Sequence, residues 1–204
     1  QLVSPNFAAR INGTGQIAPF GVSVASKGVG VIGLGVAAVG DISGFYNGSQ
    51  AGNLVLLLSQ GAVNLEFRLA GGTLSTGAQE YTSYFGLGNA MSLLTDGVGF
   101  EYDRLNRGVN WQAVKSVGGV VTRIDTGVAV VAGFGVLSKF KIVTDTSGQV
   151  ATLYIDGVVV ATFSGLTLAT LSPLIAMTKT VGATTVFGPF IDYCNFQQIF
   201  NATR

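Results

Sequence analysis

Apolar and polar side chains alternate with a period of two along several short segments of the chain. The clearest segment is Val63–Ala70 (VNLEFRLA), in which every second residue is apolar. Val98–Asp103 (VGFEYD) repeats the pattern, with Glu101 and Asp103 on its polar face. Alternation of this kind is typical of a β-strand that buries one face and exposes the other. Both segments therefore predict strands that cover a core with one side only.

Two further alternating segments, Ala151–Ile155 and Val158–Phe163, are separated by the dipeptide Asp156-Gly157. Asp-Gly is favoured in the type I′ turn, which requires positive φ at both central residues. The sequence therefore predicts a tight antiparallel hairpin here, and a protein built of antiparallel sheets around it.

The rest of the chain also favours strands. Short apolar or alternating runs predict strands at Asn53–Ser59, Tyr81–Gly88, Asn110–Lys115, Val120–Ile124, Val128–Val131, Phe140–Thr144 and Val186–Phe200. No segment of about ten residues combines capping signals with apolar 3.6-residue periodicity, so a long helix is not expected. Short helical turns are expected near Ala90–Leu94 or Leu166–Leu171.

The first forty residues differ from the remainder. Gly21–Gly40 is rich in glycine and valine and predicts one or two strands with bends at the glycines. Its apolar part, Gly28–Val39, is only about half as long as a membrane-spanning helix must be. We interpret residues 1–40 as an N-terminal arm or assembly segment, which could also belong to the sheets, and residues 41–204 as one domain.

A family resemblance appears in the hairpin, where LYIDGVVVAT resembles the late hairpin of concanavalin A-like (laminin G-like) β-sandwiches. The longer stretch Gly99–Phe163 adds NWQAV, TGVAV and FKIVTDTSG, and in that order it resembles sandwich domains of bacteriophage virion proteins. Those domains belong to head decorations, head fibres and tail fibres. The resemblance implies an all-β, antiparallel, jelly-roll-like sandwich of the concanavalin A type, preceded by an extended N-terminal arm.

Composition narrows the possible functions. Only 10% of the residues are charged and 48% are hydrophobic, whereas an ordinary globular domain is about 25% charged. So few charges predict a surface that is partly covered by copies of the chain or by neighbouring proteins. The formal net charge is +1, and the basic residues from Arg104 to Arg123 are interleaved with acidic ones. Nucleic-acid binding is therefore not expected.

Candidate catalytic groups are few, because the chain has no histidine and one cysteine, Cys194. Cys194 is interpreted as a small hydrophobic residue buried in a final strand. Concanavalin A-like glycosidases, which the fold resembles, carry a strand motif E-x-D-x-E, and Glu101 and Asp103 match its first two acids. Leu105 stands where the general acid of that motif belongs, so hydrolysis by this route should fail. The alternative is that Glu101 and Asp103 lie on a solvated or inter-subunit face and pair with Arg104, Arg107 or Arg123.

Two kinds of ligand site were weighed. The oxygen ligands available for a Ca²⁺ site are Asp145, Asp156, Asp192 and Asn195, but no dense acidic loop joins them, so no metal site is predicted. A glycan site would combine aromatic rings with amide groups, and its candidates are Tyr81, Tyr84, Asn110, Trp111 and Gln112. Packing in the core or an interface is the preferred interpretation of Trp111.

The sequence as a whole predicts a non-enzymatic structural protein of a virus particle, such as a phage capsid decoration or fibre protein. The expected partners are further copies of the chain, with a trimer favoured, and other virion proteins such as the major capsid protein. No cofactor, nucleic acid or membrane span is expected, and the expected location is the virion surface. The alternative is a lectin-like module that recognises a glycan on a host surface.

Overall fold

The computed structural model describes residues 8–13, 15–20, 31–46, 58–89, 95–133, 135–167 and 171–200. The strands are β1 (Ala8–Asn12), β2 (Gln16–Phe20), β3 (Val31–Val36), β4 (Ile42–Tyr46), β5 (Gly61–Ala70), β6 (Glu80–Gly88), β7 (Gly97–Asp103), β8 (Asn110–Val117), β9 (Val120–Ala129), β10 (Ser138–Thr144), β11 (Ala151–Ile155), β12 (Val158–Phe163), β13 (Ser172–Val181) and β14 (Val186–Phe200). Within these residues, helix is confined to α1 (Arg104–Arg107) and a short 3-10 turn, Leu58–Gln60.

The strands form two seven-stranded sheets. Sheet A has the order β1-β4-β13-β6-β7-β8-β9, and sheet B has the order β12-β11-β10-β5-β14-β3-β2. Neighbouring strands pair antiparallel throughout both sheets. The predicted all-β antiparallel sandwich is therefore confirmed. Within the described ranges, no helix is long and apolar enough to cross a membrane.

An aromatic cluster joins the two sheets at the centre of the core. Phe85 of β6 packs edge-on against Phe67 of β5 and Phe140 of β10, with ring centroids 5.4 and 4.8 Å apart. Phe85 also stacks on Phe100 of β7 and meets Trp111 of β8 edge-on. All these side chains point inward because they occupy alternate positions of their strands. Burying this much aromatic surface is the largest stabilising contribution the sequence offers.

The predicted hairpin is also confirmed. β11 and β12 pair antiparallel, and the turn between them has φ values of 48° at Asp156 and 85° at Gly157. Two positive φ values in succession are what the type I′ turn requires. The Asp156 carboxylate also accepts a hydrogen bond of 2.8 Å from the backbone N–H of Lys139, which ties the turn to β10.

The structure differs from the sequence-based prediction in β4, β9 and β13. Neither β4 nor β13 was predicted, although β13 lies between β4 and β6 in sheet A. Its proline, Pro173, lies opposite Leu87 of β6. β9 is a single strand where Val120–Ile124 and Val128–Val131 predicted two, and it includes Gly127, whose φ is 69°.

The described parts of residues 1–40 belong to the two sheets. β1 forms an edge of sheet A beside β4, and β2 forms an edge of sheet B beside β3. A boundary at residue 40 and an assembly role for this segment stay predictions. The predicted helical turn at Ala90–Leu94 and most of the predicted strand Asn53–Ser59 lie outside the described residues. No helix forms at Leu166 and Thr167, the first two residues of the other predicted turn.

Candidate functional site

The outer face of sheet A, which points away from sheet B, carries a line of polar side chains. Tyr84 of β6 lies opposite Glu101 of β7, Glu101 lies opposite Gln112 of β8, and Gln112 lies opposite Asp125 of β9. The flanking residues of these strands, such as Phe85 and Phe100, belong to the core. Because successive side chains of a strand point to opposite faces, these four groups share the outer face. We call them the polar row.

A bidentate ion pair stands in the middle of this face. Arg123 of β9 donates from Nε to Oε1 of Glu101 at 2.7 Å and from Nη2 to Oε2 at 3.0 Å. The Glu101 side chain is only 9% exposed, whereas that of Arg123 is 27% exposed. The hydrogen bond from Arg123 to Glu101 raises the pKa of Arg123. Two parallel charge-assisted bonds fix both the position and the orientation of the guanidinium plane.

Tyr84 packs against a patch of glycines. A Cβ atom built on Gly86, Gly97 or Gly99 would lie 2.8–3.1 Å from the phenol oxygen of Tyr84. These residues lack side chains, so the end of the phenol can approach the sheet backbone, and its hydroxyl donates to the Leu87 carbonyl at 2.8 Å. Burial, and secondarily the nearby Glu101 carboxylate, raise the pKa of Tyr84 well above its usual value. Tyr84 is therefore a protonated phenol at physiological pH.

An apolar cluster adjoins the polar row on the same face. Tyr84 packs with Val114, Leu174 and Ala176, which are 0–3% exposed, and with the half-buried Val121. These apolar side chains are covered by their neighbours, so the part of the face that a ligand can reach lies at the polar row and its edge.

The edge of the polar row is held in place by its own hydrogen bonds. Asp125 accepts from the Gly127 backbone at 2.7 Å and from Nδ2 of Asn110 at 2.9 Å, while Nε2 of Gln112 donates to the Asn110 carbonyl at 3.3 Å. The hydrogen bonds from Gly127 and Asn110 lower the pKa of Asp125. Asp125 is exposed and Asn110 is half-buried, so this edge is the most accessible part of the row.

Asp103, the last residue of β7, is the N-cap of α1. Its carboxylate accepts from the Asn106 backbone at 3.2 Å and from the Asn106 side chain at 2.8 Å. Arg104 pairs with the buried Glu80 at 3.3 Å. Leu105 is 56% exposed in α1, beyond the end of the strand. The chain therefore leaves the sheet before the third acid of an E-x-D-x-E motif would be reached.

The predicted glycan-site residues fall into two groups. Tyr84, Asn110 and Gln112 lie on the outer face of sheet A, where the structure brings them together. Trp111 is 4% exposed and packs in the core. Tyr81 is 1% exposed, and its hydroxyl donates to the Thr73 carbonyl at 2.8 Å. Because both lie between the sheets, neither ring has a free face for a ligand.

Arg123 and Asp125 are functional candidates that the glycan-site prediction missed. Their signal in the sequence is the alternation of VVTRID, which places both on one face of a strand. The proposed pairing of Glu101 with an arginine is confirmed for Arg123. Cys194 lies half-buried in β14 against the core, and burial raises the pKa of its thiol to about 12.

In the described residues, no group of three or more His, Cys, Asp or Glu side chains is placed to hold a metal ion. Two of the carboxylates considered for a Ca²⁺ site hold turns. Asp145 accepts from the Ser147 hydroxyl at 2.5 Å and from the Val150 backbone at 3.0 Å. Asp156 accepts from Lys139, as described above.

No family model and no curated protein matches the chain. Solved structures do resemble it. An alginate lyase from Corynebacterium sp. aligns with a TM-score of 0.55 and 12% identity over 83% of this chain and 77% of that chain. A Bacteroides ovatus GH16 protein in complex with a G4G4G3G product aligns with a TM-score of 0.57 and 11% identity over 89% of this chain and 85% of that chain. The Emp47p carbohydrate recognition domain aligns with a TM-score of 0.55 and 12% identity over 93% and 88%.

These similarities confirm the concanavalin A-like fold, but they correct the predicted function. The prediction of a virion structural protein is contradicted by the similar structures, which are polysaccharide lyases, a GH16 protein and a carbohydrate recognition domain. The prediction that the chain is not an enzyme is contradicted by the same lyases and GH16 protein. The predicted homo-oligomer, the other predicted partners and the predicted location stay predictions.

Proposed function

We propose that the chain binds a carbohydrate on the outer face of sheet A. The observation that carries this proposal is the accessible edge of the polar row, where the exposed Asp125 lies beside the half-buried Asn110 and Arg123. A sugar presents hydroxyl groups that both donate and accept hydrogen bonds. An edge that offers a carboxylate acceptor beside amide and guanidinium donors matches them.

Each accessible group of this face has a part in such binding. Asp125 accepts hydrogen bonds from sugar hydroxyls, while Asn110 and Arg123 donate to sugar oxygens. These side chains already hold one another through the Asn110–Asp125 bond of 2.9 Å and the Arg123–Glu101 bonds of 2.7 and 3.0 Å. Little side-chain entropy is then lost when a ligand arrives, which favours affinity.

The solved structures support the same ligand class. A GH16 protein with a bound glucan product and a carbohydrate recognition domain have the fold of this chain. Fold alone does not assign a ligand, so the weight of the proposal rests on the residues of the outer face.

Binding is tested by affinity electrophoresis or calorimetry against a panel of polysaccharides. The double variant Asn110→Ala/Asp125→Ala should bind at least about tenfold more weakly, because two hydrogen bonds of about 1 kcal/mol each are removed. Asn195→Ala, an exposed amide on the outer face of sheet B, is the matched control. If no glycan in the panel binds, or if the double variant binds as well as wild type, the proposal fails.

Cleavage of a polysaccharide on the same face is a second candidate function. Glu101 and Tyr84 lie opposite each other on neighbouring strands, so a carboxylate and a phenol adjoin where a bound chain would pass. The Tyr84 hydroxyl donates its hydrogen bond to the Leu87 carbonyl, so its proton is not directed at a ligand. Proton transfer at this place would therefore depend on Glu101. Leu105 supplies no general acid, so hydrolysis by an E-x-D-x-E arrangement lacks its proton donor.

Turnover is measured as new reducing ends for hydrolysis and as unsaturated sugar ends for elimination. Glu101→Gln should abolish any turnover while binding is retained at the Asn110–Asp125 edge. Turnover that survives Glu101→Gln would exclude Glu101 as the catalytic group, and the absence of product from any bound polysaccharide would exclude this second candidate.

A further inference from the structure

We infer that the glycan taken by this face is uncharged, and that polyuronates such as alginate are rejected. This inference rests on the proposed function, since it concerns the same outer face of sheet A. It follows from the charges there: Arg123 and Arg104 are each paired with a largely buried carboxylate, and the exposed charged group at the Asn110–Asp125 edge is acidic.

The two arginines that could meet an acidic sugar are engaged. Arg123 gives two parallel hydrogen bonds to Glu101, which is 9% exposed. Arg104 is paired with Glu80, whose side chain is 1% exposed. Removing the cation from a carboxylate that is held away from water costs a large free energy, because the remaining charge is left buried and unpaired. A uronate would therefore have to compete with a buried partner for each guanidinium.

The remaining basic residues of this region lie off the polar row. Arg107 is exposed on α1, beyond the end of β7, and Asp103 is the N-cap of that helix. Lys115 points the other way: its Nζ donates to the Ser164 carbonyl at 3.0 Å and lies 5.9 Å from the centre of the Phe163 ring of β12, in sheet B. In the described residues of β6–β9 and α1, the carboxylates Glu80, Glu101, Asp103 and Asp125 thus outnumber the three guanidiniums on this side.

The accessible acids favour hydroxyl groups over carboxylates as ligands. Asp125 is exposed, and its hydrogen bonds from Gly127 and Asn110 keep it ionised. A sugar hydroxyl can donate to such a carboxylate, whereas the carboxylate of a uronate would be repelled by it. The face therefore selects against the acidic polymer on which several proteins of this fold act.

The test compares binding of the whole chain to uncharged glucans, such as mixed-linkage β-glucan and laminarin, with binding to alginate and polygalacturonate. Measurements at low ionic strength make the charge effect largest. Alginate should bind at least about tenfold more weakly than the best neutral glucan, a ratio that corresponds to one unfavourable charge contact. Asp103→Asn/Asp125→Asn should narrow that ratio, and added salt should narrow it as well.

The matched control is Asp156→Asn, which removes a charge from the β11–β12 turn of sheet B, where Asn-Gly is as favourable as Asp-Gly. It should leave the ratio unchanged. Alginate binding as tight as, or tighter than, neutral glucan binding would overturn the inference while leaving the proposed function intact. Binding of neither group of glycans would overturn the proposed function itself. An equal ratio in wild type and Asp103→Asn/Asp125→Asn would show that these carboxylates are not the cause of selection.

Discussion

The outer faces of the two sheets hold their charged groups in opposite ways. On sheet A, Glu101 is nearly buried beside Arg123, and the surrounding side chains are packed to within a few per cent of full burial. On sheet B, Glu66 pairs with Lys139 at 3.0 Å and Arg68 pairs with Asp192 at 3.2 Å, with the basic side chains about half exposed. The carboxylates Glu101 and Asp192 are buried alike, at 9% and 8% exposed, but of the three cations only Arg123, at 27% exposed, is largely removed from water.

The difference shows which face is shaped for more than solubility. An exposed ion pair contributes little to stability and is easily replaced, because water solvates both partners. A buried pair costs desolvation free energy, and a well-packed apolar pair would often be at least as stable. The largely desolvated Glu101–Arg123 pair therefore fits the proposed role of this face in binding, whereas the cations on sheet B, Arg68 and Lys139, are about half exposed.

The largest expected effect tests this contrast directly. Arg123→Ala should destabilise the fold by about 2–3 kcal/mol, because Glu101 is left buried without its cation. Lys139→Ala, the matched change on sheet B, should cost less than about 1 kcal/mol, because Glu66 is 21% exposed and keeps the hydrogen bond from Tyr193. Urea denaturation of both variants measures the two values. Equal losses would show that burial of the ion pair on sheet A has no energetic consequence.

A glycine under Tyr84 gives the next largest effect. A Cβ on Gly99 would lie 2.3 Å from the Phe85 carbonyl and 2.8 Å from the phenol oxygen of Tyr84. Gly99→Ala should therefore destabilise the fold by about 2 kcal/mol, through displacement of backbone and of the phenol. Gly135→Ala, where no atom lies within 4 Å of the added Cβ, is the control and should be nearly neutral. A neutral Gly99→Ala variant would contradict the close packing of Tyr84.

Removal of single hydroxyls should have smaller effects. Tyr84→Phe loses a buried hydrogen bond of 2.8 Å to the Leu87 carbonyl and should cost about 1 kcal/mol, because that carbonyl is left without the donor. Tyr193→Phe on sheet B loses a bond to Glu66, which also has Lys139 as a partner, and should cost about 0.5 kcal/mol or less. Thermal denaturation of the two variants compares their losses of stability. A larger loss in Tyr193→Phe than in Tyr84→Phe would contradict the proposed difference between the two faces.

The strands and the hairpin could be predicted because their signals are local. Alternation in Val63–Ala70 and the Asp156-Gly157 turn need only neighbouring residues to be interpreted. β13 could not be found in this way: its central run LIAM has no alternation, since the strand is buried on both faces, and Pro173 speaks against a strand. Its place in sheet A depends on distant partners.

The site could be predicted only in part, for a related reason. Strand parity alone separates Tyr81 from Tyr84, three positions apart, and Trp111 from its neighbours Asn110 and Gln112. Alternation along the strands places Tyr81 and Trp111 in the core, which removes them from the candidate glycan site and agrees with the preferred interpretation of Trp111. The alignment of Tyr84, Glu101, Gln112 and Asp125 depends instead on the register of four strands, which no local pattern specifies.

The smallest expected effect concerns pH and the solvated face. Burial by itself would raise the pKa of Glu66, but hydrogen bonds from Tyr193 and Lys139 lower it below 4.5. Because the folded state favours the ionised carboxylate, Glu66 contributes stability above the unfolded pKa, and that contribution is lost as the pH falls through the lower folded value. Glu66→Gln should therefore be less stable than wild type at neutral pH, by less than about 1 kcal/mol since Lys139 is half exposed. The difference should shrink as the pH drops from about 4.5 toward 3. Urea denaturation at several pH values measures the difference in unfolding free energy between Glu66→Gln and wild type. A difference that stays constant with pH would mean that the hydrogen bonds to Glu66 do not favour its ionised form.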